Sequence, residues 1–161
     1  MAFLLVTLSN ANAADPAPRK TVQGTTESEQ ASKRIYFSLA DELGFPIPEG
    51  REAFECTDKI YTVVELENFP MGRHELSILW IDPAETSREH TKYAFHVRQK
   101  ETRLWAWLRL SRATGAGMLQ WLNPAAGLEE FIGPWTVEVR IDNKKIATKN
   151  FQVSCWAVDF K

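Results

Sequence analysis

Gly133-Pro134-Trp135-Thr136-Val137-Glu138-Val139-Arg140-Ile141-Asp142-Asn143-Lys144 is the stretch that decides the fold. Trp135, Val137, Val139 and Ile141 alternate with Thr136, Glu138 and Arg140, which is the rhythm of a strand with one dry and one wet face. Asp142-Asn143-Lys144 turns the chain, and Ile146 to Cys155 returns as the second arm of a hairpin.

The same rhythm extends backwards. Leu104, Ala106, Leu108 and Leu110 form an inward row, opposed by an outward row of Arg103, Trp105, Trp107 and Arg109. Tyr93, Phe95 and Val97 form another inward row, and Leu76, Ile78 and Trp80 a third, which stops at Asp82-Pro83 because proline cannot donate to a ladder. Ile60, Thr62, Val64 and Leu66 fall on one face, with Tyr61, Val63, Glu65 and Glu67 on the other and an exit turn at Asn68 to Gly72. Ile35, Phe37 and Leu39 alternate with Tyr36 and Ser38 as a first strand, although Ala31 to Leu43 also fits a short helix. Pro46, Pro48 and Gly50 then mark a turn.

About seven strands separated by turn signals predict an all-β fold, an immunoglobulin-like antiparallel β-sandwich. Ala113 to Pro134 breaks the rhythm, with Gly115, Gly117, Pro124, Gly127 and Gly133 around Met118, Leu119, Trp121, Leu122, Leu128 and Phe131. A connection this long and this apolar predicts a loop that caps one end of the sandwich and contains a helical turn.

One resemblance rests on these residues. Gly133-Pro134-Trp135-Thr136-Val137-Glu138-Val139, then Asp142-Asn143 and Phe151-Gln152-Val153, resemble the last hairpin of a group of uncharacterised bacterial cell-envelope immunoglobulin-like domains. Such domains also carry a His and a Trp on an early strand and a Trp-rich strand before the hairpin, as in His74 to Trp80 and Arg103 to Arg109. The similarity runs from Phe54 to Cys155 and departs in the spacing between His74 and Trp80. It implies a fold and an envelope setting, and brings no activity with it.

Length and composition fit one folded domain: 161 residues, 44% hydrophobic and 25% charged. A net charge of -2 leaves no field to gather phosphate backbones, so nucleic acid is not an expected partner. Ala2 to Leu8 followed by Ala11-Asn12-Ala13 has the apolar run and A-x-A site of an export signal. No Lys or Arg precedes it, so the true start is expected upstream; the alternative is a short buried strand. The domain reading is therefore a signal peptide over 1–13, a disordered leader over 14–34 and a β-sandwich over 35–161. The leader carries Pro16, Pro18, Gly24 and a polar run that cannot repay its ordering entropy. No later run nears the ~18 apolar residues that cross a bilayer, and a periplasmic or secreted protein is expected.

Cys56 and Cys155 suit that address. Each shares the parity of inward residues, Ile60 and Val64 for the first, Phe151 and Val153 for the second. A structural disulfide is expected, with two buried free thiols as the alternative.

Catalytic signatures are missing: the chain has no Gly-x-Ser-x-Gly elbow, P-loop or dinucleotide fingerprint. Glu129-Glu130 and Glu65 with Glu67 read as solvated neighbours more readily than as an acid/base pair. His90 and His96 leave the same face of a strand with Lys92 between them, but six residues span about 20 Å, too far to share one ion. His74 reads as a strand-end histidine bonded to backbone, and Met71 and Met118 are a thin thioether supply. No catalytic residue, cofactor or metal ligand is assigned.

Arg103, Trp105, Trp107 and Arg109 remain as the candidate partner-binding row, two indoles flanked by guanidiniums on which a sugar ring, an aromatic side chain or a peptide strand can stack. The alternatives are that the 113–134 loop or the N-terminal segment covers them, or that they are core. The expected function is a non-catalytic periplasmic binding or scaffolding module for an envelope protein or glycan. A carbohydrate-binding or hydrolytic accessory domain and a periplasmic copper carrier are the rival readings.

Overall fold

The computed structural model describes residues 31–111, 123 and 125–155. The expected signal peptide, nearly all of the leader and much of the expected capping loop, including Met118, Leu119, Trp121 and Leu122, lie outside the described residues.

Among the described residues eight strands appear in chain order: β1 Ser32–Ser38, β2 Ala53–Glu55, β3 Lys59–Glu67, β4 Gly72–Ile81, β5 Ser87–Val97, β6 Glu101–Arg109, β7 Gly133–Ile141 and β8 Lys144–Ser154. The segment that also fitted a helix is strand β1, and it begins at Ser32, inside the expected leader. Its ladder against β3 runs from Ser32↔Glu67 to Ser38↔Tyr61. Two sheets form, ordered β1-β3-β6 and β2-β8-β7-β4-β5. Every pairing is antiparallel except the short β2–β8 pair.

The core lies between the sheets. Ile35, Phe37, Ile60, Val64, Leu66, Leu104, Ala106 and Leu108 from the smaller sheet join Leu76, Ile78, Trp80, Trp135, Val137, Val139, Ile141, Phe151 and Val153 from the larger one. Phe151 is the aromatic hinge, stacked on Trp135 at 6.0 Å and edge-on to Phe37, Phe54 and Trp80. The alternating rows meet here because burying like-parity side chains removes apolar area from water at roughly 25 cal/mol per Å².

Two rows depart from expectation, one expected inward and one expected outward. Tyr93 and Phe95 are only half-buried, although both pack against the core. They sit on β5, the edge of the larger sheet, where one flank has no neighbouring strand. Conversely, Tyr61 and Val63, placed on the outer face, are buried with Tyr36 in a second small cluster. The chain after β1 folds back over them: the Tyr61 hydroxyl donates to the Gly44 carbonyl, and Phe37↔Arg51 and Ala40↔Pro46 bridge the return.

The turns match their residues. Asp142 and Asn143 both take positive φ, 51° and 64°, as a two-residue hairpin turn demands. Gly133 has φ +134° and lies so close to Pro83 that an added Cβ would stand 3.1 Å from the proline Cβ. The expected helical turn appears as a 3-10 turn at Glu129–Phe131. Cys56 and Cys155 are disulfide-bonded, with Cα atoms 5.1 Å apart and a sequence separation of 99. The bridge closes the parallel corner where Cys56 N–H also donates to the Ser154 carbonyl at 2.8 Å. Among the described residues no helix is long and apolar enough to cross a membrane.

Candidate functional site

Strand β6 carries the outward row. Arg103, Trp105, Trp107 and Arg109 alternate with the buried Leu104, Ala106 and Leu108. Trp105 is 37% and Trp107 52% exposed, so neither indole is core and neither is fully covered.

Two other parts of the chain complete the face. Phe45, 54% exposed, meets the Trp105 ring edge-on at 6.3 Å. Its position is fixed by Asp41, whose carboxylate accepts from the N–H groups of Leu43 at 2.9 Å and Phe45 at 2.8 Å, with Gly44 at φ +86° completing the turn. Lys59 sets its ammonium over Trp107, 4.5 Å from the ring centre, and over Tyr61 at 5.0 Å.

The two arginines differ. Arg103 is held inside the chain, donating to the Tyr36 hydroxyl and the Pro46 carbonyl, both at 3.0 Å, and lying 3.5 Å from Glu65. Burial and the bond to Glu65 raise the Tyr36 hydroxyl above its ordinary range, against the pull of Arg103. Arg103 therefore braces the return segment against the sheet. Arg109 stands at the far end, directly opposite Lys59 in the ladder. Among the described residues neither cation lies within ion-pair distance of a carboxylate.

The face is polarised. At the other end Glu67 stands opposite Glu101, with Glu65 opposite Arg103 between that pair and the indoles. Cations, aromatics and anions thus follow one another along about 27 Å of strand.

Beside this row lies the edge of β6, which among the described residues pairs only with β3. The Tyr93 hydroxyl donates to the Trp105 carbonyl at 3.1 Å, so that carbonyl points away from β3 towards β5. Backbone groups alternate in step with side chains along a strand, and the β3–β6 ladder has no register shift. The N–H and C=O groups of Arg103, Trp107 and Arg109 therefore also point to the open edge. A groove of about 500 Å³ runs there, with Glu89, Thr91 and Tyr93 on one wall and Trp105 to Arg109 on the other. A hollow of about 600 Å³ at the acidic end is larger, lined by Arg34, Glu65, Glu67, Glu101 and Arg103. It lacks aromatic walls, and its Glu65 is already tied to Arg34, Tyr36 and Arg103.

The other candidates have structural partners. His74 contacts Asp142 through Nδ1 at 2.6 Å and the Pro70 carbonyl through Nε2 at 2.9 Å. Both contacts are acceptors, so the ring makes both bonds only as the imidazolium; the bond to Asp142 raises its pKa despite burial. The backbone partner matches expectation, and Asp142 adds a carboxylate. Phe69 and Phe95 flank the ring at 5.0 and 5.6 Å. His90 meets the Ser77 hydroxyl at 2.8 Å and His96 is exposed opposite Arg73. Glu130 pairs with Arg88 at 2.7 Å, and Arg88 also binds the buried Asp82. Glu129, Glu130 and His74 do not converge. Among the described residues no three His, Cys, Asp or Glu side chains gather closely enough to hold a metal ion.

Phe45, Lys59 and Tyr93 are the site residues that pattern reading missed. Asp41 three residues before Gly44 was a turn signal; nothing in the sequence pointed that turn at Trp105.

The chain matches no family model and no curated protein. Among solved structures it is similar to part of an alkylpurine DNA glycosylase, AlkC, of Pseudomonas fluorescens bound to DNA containing an abasic site analog, with TM-score 0.45 and 10% identity over 76% of this chain and 30% of that one. It is also similar to part of a β-glucosidase of Listeria innocua, solved with glucose at TM-score 0.43 and 10% identity and with gluconolactone at 0.41 and 12%, over 80% of this chain and 17% of that one in both. The chain spans less than a third of either enzyme.

Proposed function

We propose that this chain is an exported, non-catalytic binding or scaffolding module, an immunoglobulin-like sandwich of the periplasm or cell exterior that meets an envelope protein or glycan through the Phe45, Trp105 and Trp107 face. The observation that carries the reading is the position of the two indoles: a sandwich with a complete core nevertheless leaves Trp105 and Trp107 37% and 52% exposed, side by side on an open edge. Large aromatics presented this way contribute contact area at low entropic cost. The disulfide suits an oxidising compartment, and the envelope resemblance agrees with it. Of the residues the rival readings would use, Glu130 is paired with Arg88, and His74 is bound to Asp142 and the Pro70 carbonyl, which favours the binding reading.

The test compares wild type with the Trp105→Ala/Trp107→Ala double variant on a glycan array and against cell-envelope extract, with near-UV circular dichroism as the check on folding. A folded double variant that loses at least tenfold in a binding event made by wild type supports the reading. Equal binding by both proteins refutes it.

A further inference from the structure

The two sheets have four edges, and three are blunted. Strand β2 is three residues long, β1 is bridged on its outer side by Arg51, and β5 has a register shift at its Trp80/Ile81 pairing and carries Arg88, Glu89, His90 and Lys92. Strand β6 differs from all of them. It has nine residues without Gly or Pro, an unshifted ladder, and a row of backbone groups aimed into the open groove. Such an edge is a template for another strand.

We propose that the strand completing it is β6 of a second copy of this chain, paired antiparallel about a two-fold axis through Trp105. This deepens the binding reading by naming the partner of the same face. The charge order decides the occupant. With Trp105 opposite its own counterpart, Arg103 stands opposite Trp107 of the second copy and Glu101 opposite its Arg109. Every cross-strand pair on the outer face is then favourable: one aromatic pair, two Arg–Trp pairs and two ion pairs. Centring the axis on Ala106 sets Arg103 against Arg109, which repels. Centring it on Trp107 carries Glu101 past the end of the strand and loses both ion pairs.

The same register answers an oddity within each chain. Lys59 faces Arg109 and Glu67 faces Glu101, like charges directly opposite one another, which destabilise a sheet. Pairing two copies brings Glu101 of the second copy to the Lys59–Arg109 end and Arg109 of the second copy to the Glu67–Glu101 end. Each misplaced pair gains a counter-charge. Tyr93 is compatible with this arrangement, because the Trp105 carbonyl has a second lone pair for an incoming N–H. A two-fold interface of this kind closes on itself and stops at the dimer.

The experiment uses sedimentation equilibrium on the full chain with Glu101→Arg and Arg109→Glu. Each single variant converts a like-charge pair within its own sheet into an opposite-charge pair, so at concentrations where both proteins are monomeric each is expected to melt higher than wild type. Each also sets like charges across the dimer, so each is expected to self-associate at least tenfold more weakly. Mixing the two variants one to one restores opposite charges at both ends, and a heterodimer within about threefold of wild-type affinity is expected. A wild type that stays monomeric up to about 1 mM, single variants that dimerise like wild type, or a mixture that stays monomeric overturns the proposal. If wild type is monomeric while a Trp105/Trp107-dependent ligand is found, only the second copy is wrong. If neither association is seen, the binding reading falls with it.

Discussion

Replacing Asp82 tests how the groove wall is held. Its side chain is fully buried at the end of β4, where one oxygen accepts from the N–H groups of Ala84 at 2.9 Å and Thr86 at 2.8 Å and the other binds Arg88. Arg88 reaches on to Glu130 and lies over the Phe131 ring, 5.0 Å from its centre. One carboxylate thus ties the β4–β5 turn to the 3-10 turn before β7. Asp82→Asn keeps an oxygen for the two N–H groups and gives up the charge. A hydrogen bond to a charged group contributes about 1.5–3 kcal/mol against about 1 for a neutral one, so this variant is expected to lose about 1–2 kcal/mol. Asp82→Ala removes all three bonds; because water can reach the turn N–H groups, about 3–4 kcal/mol is expected rather than the full sum. Burial pushes the Asp82 carboxyl up, but the Thr86 and Ala84 N–H groups and Arg88 outweigh it, and the net pKa lies below the ordinary carboxylate value. A group with a depressed folded pKa stabilises above its unfolded pKa and loses that contribution as pH falls through the folded one. Urea unfolding at neutral pH should therefore rank wild type above Asn above Ala. The gap between wild type and Asp82→Asn should shrink steadily below about pH 4. A neutral-pH Asp82→Asn protein as stable as wild type, or a gap unchanged in acid, would refute this account of the turn.

Further outcomes follow from other residues. Reducing Cys56–Cys155 is expected to cost up to about 4–5 kcal/mol, the chain-entropy value for a loop of ~100 residues, read as a fall in thermal midpoint with reductant; an unchanged midpoint would show that the bridge does not limit the unfolded chain. The His74–Asp142 bond stabilises fully below the ordinary histidine pKa and weakens as pH rises through the elevated folded value. Ring proton shifts should locate that value above about 6.5, and Asp142→Asn should bring it down. Trp80→Ala should cost about 3–5 kcal/mol as a buried truncation, and Trp107→Ala about half as much because half of its surface is already wet. Equal losses would mean that Trp107 is covered in solution.

Much of the sandwich was legible because burial in a two-sided strand leaves a period-two trace. The rows from Ile60, Leu76, Leu104 and Trp135 enter the core as their parity requires, and the same parity brings the two cysteines together. It fails where a face is covered by something other than the opposite sheet. Tyr61 and Val63 are buried by the return after β1, and no local pattern encodes that cover. Tyr93 and Phe95 fail in the other direction, because parity does not reveal that β5 is an edge. The outward Trp row was legible for the same reason as the core; Phe45 and Lys59, its companions, come from distant segments that only the fold brings near. Pairwise contacts between remote residues leave no periodicity.

The bridge between Cys56 and Cys155 also determines how the domain carries tension. Pulling on residues on either side of it passes the load through the covalent link, so the span it encloses, a sequence separation of 99, is never stretched. That span would otherwise pay out about 330 Å of extended chain. Under oxidising conditions, among the described residues, β1, its return segment and β2 lie outside the bridge and can be peeled away, and reduction turns a short, stiff tether into a long, yielding one.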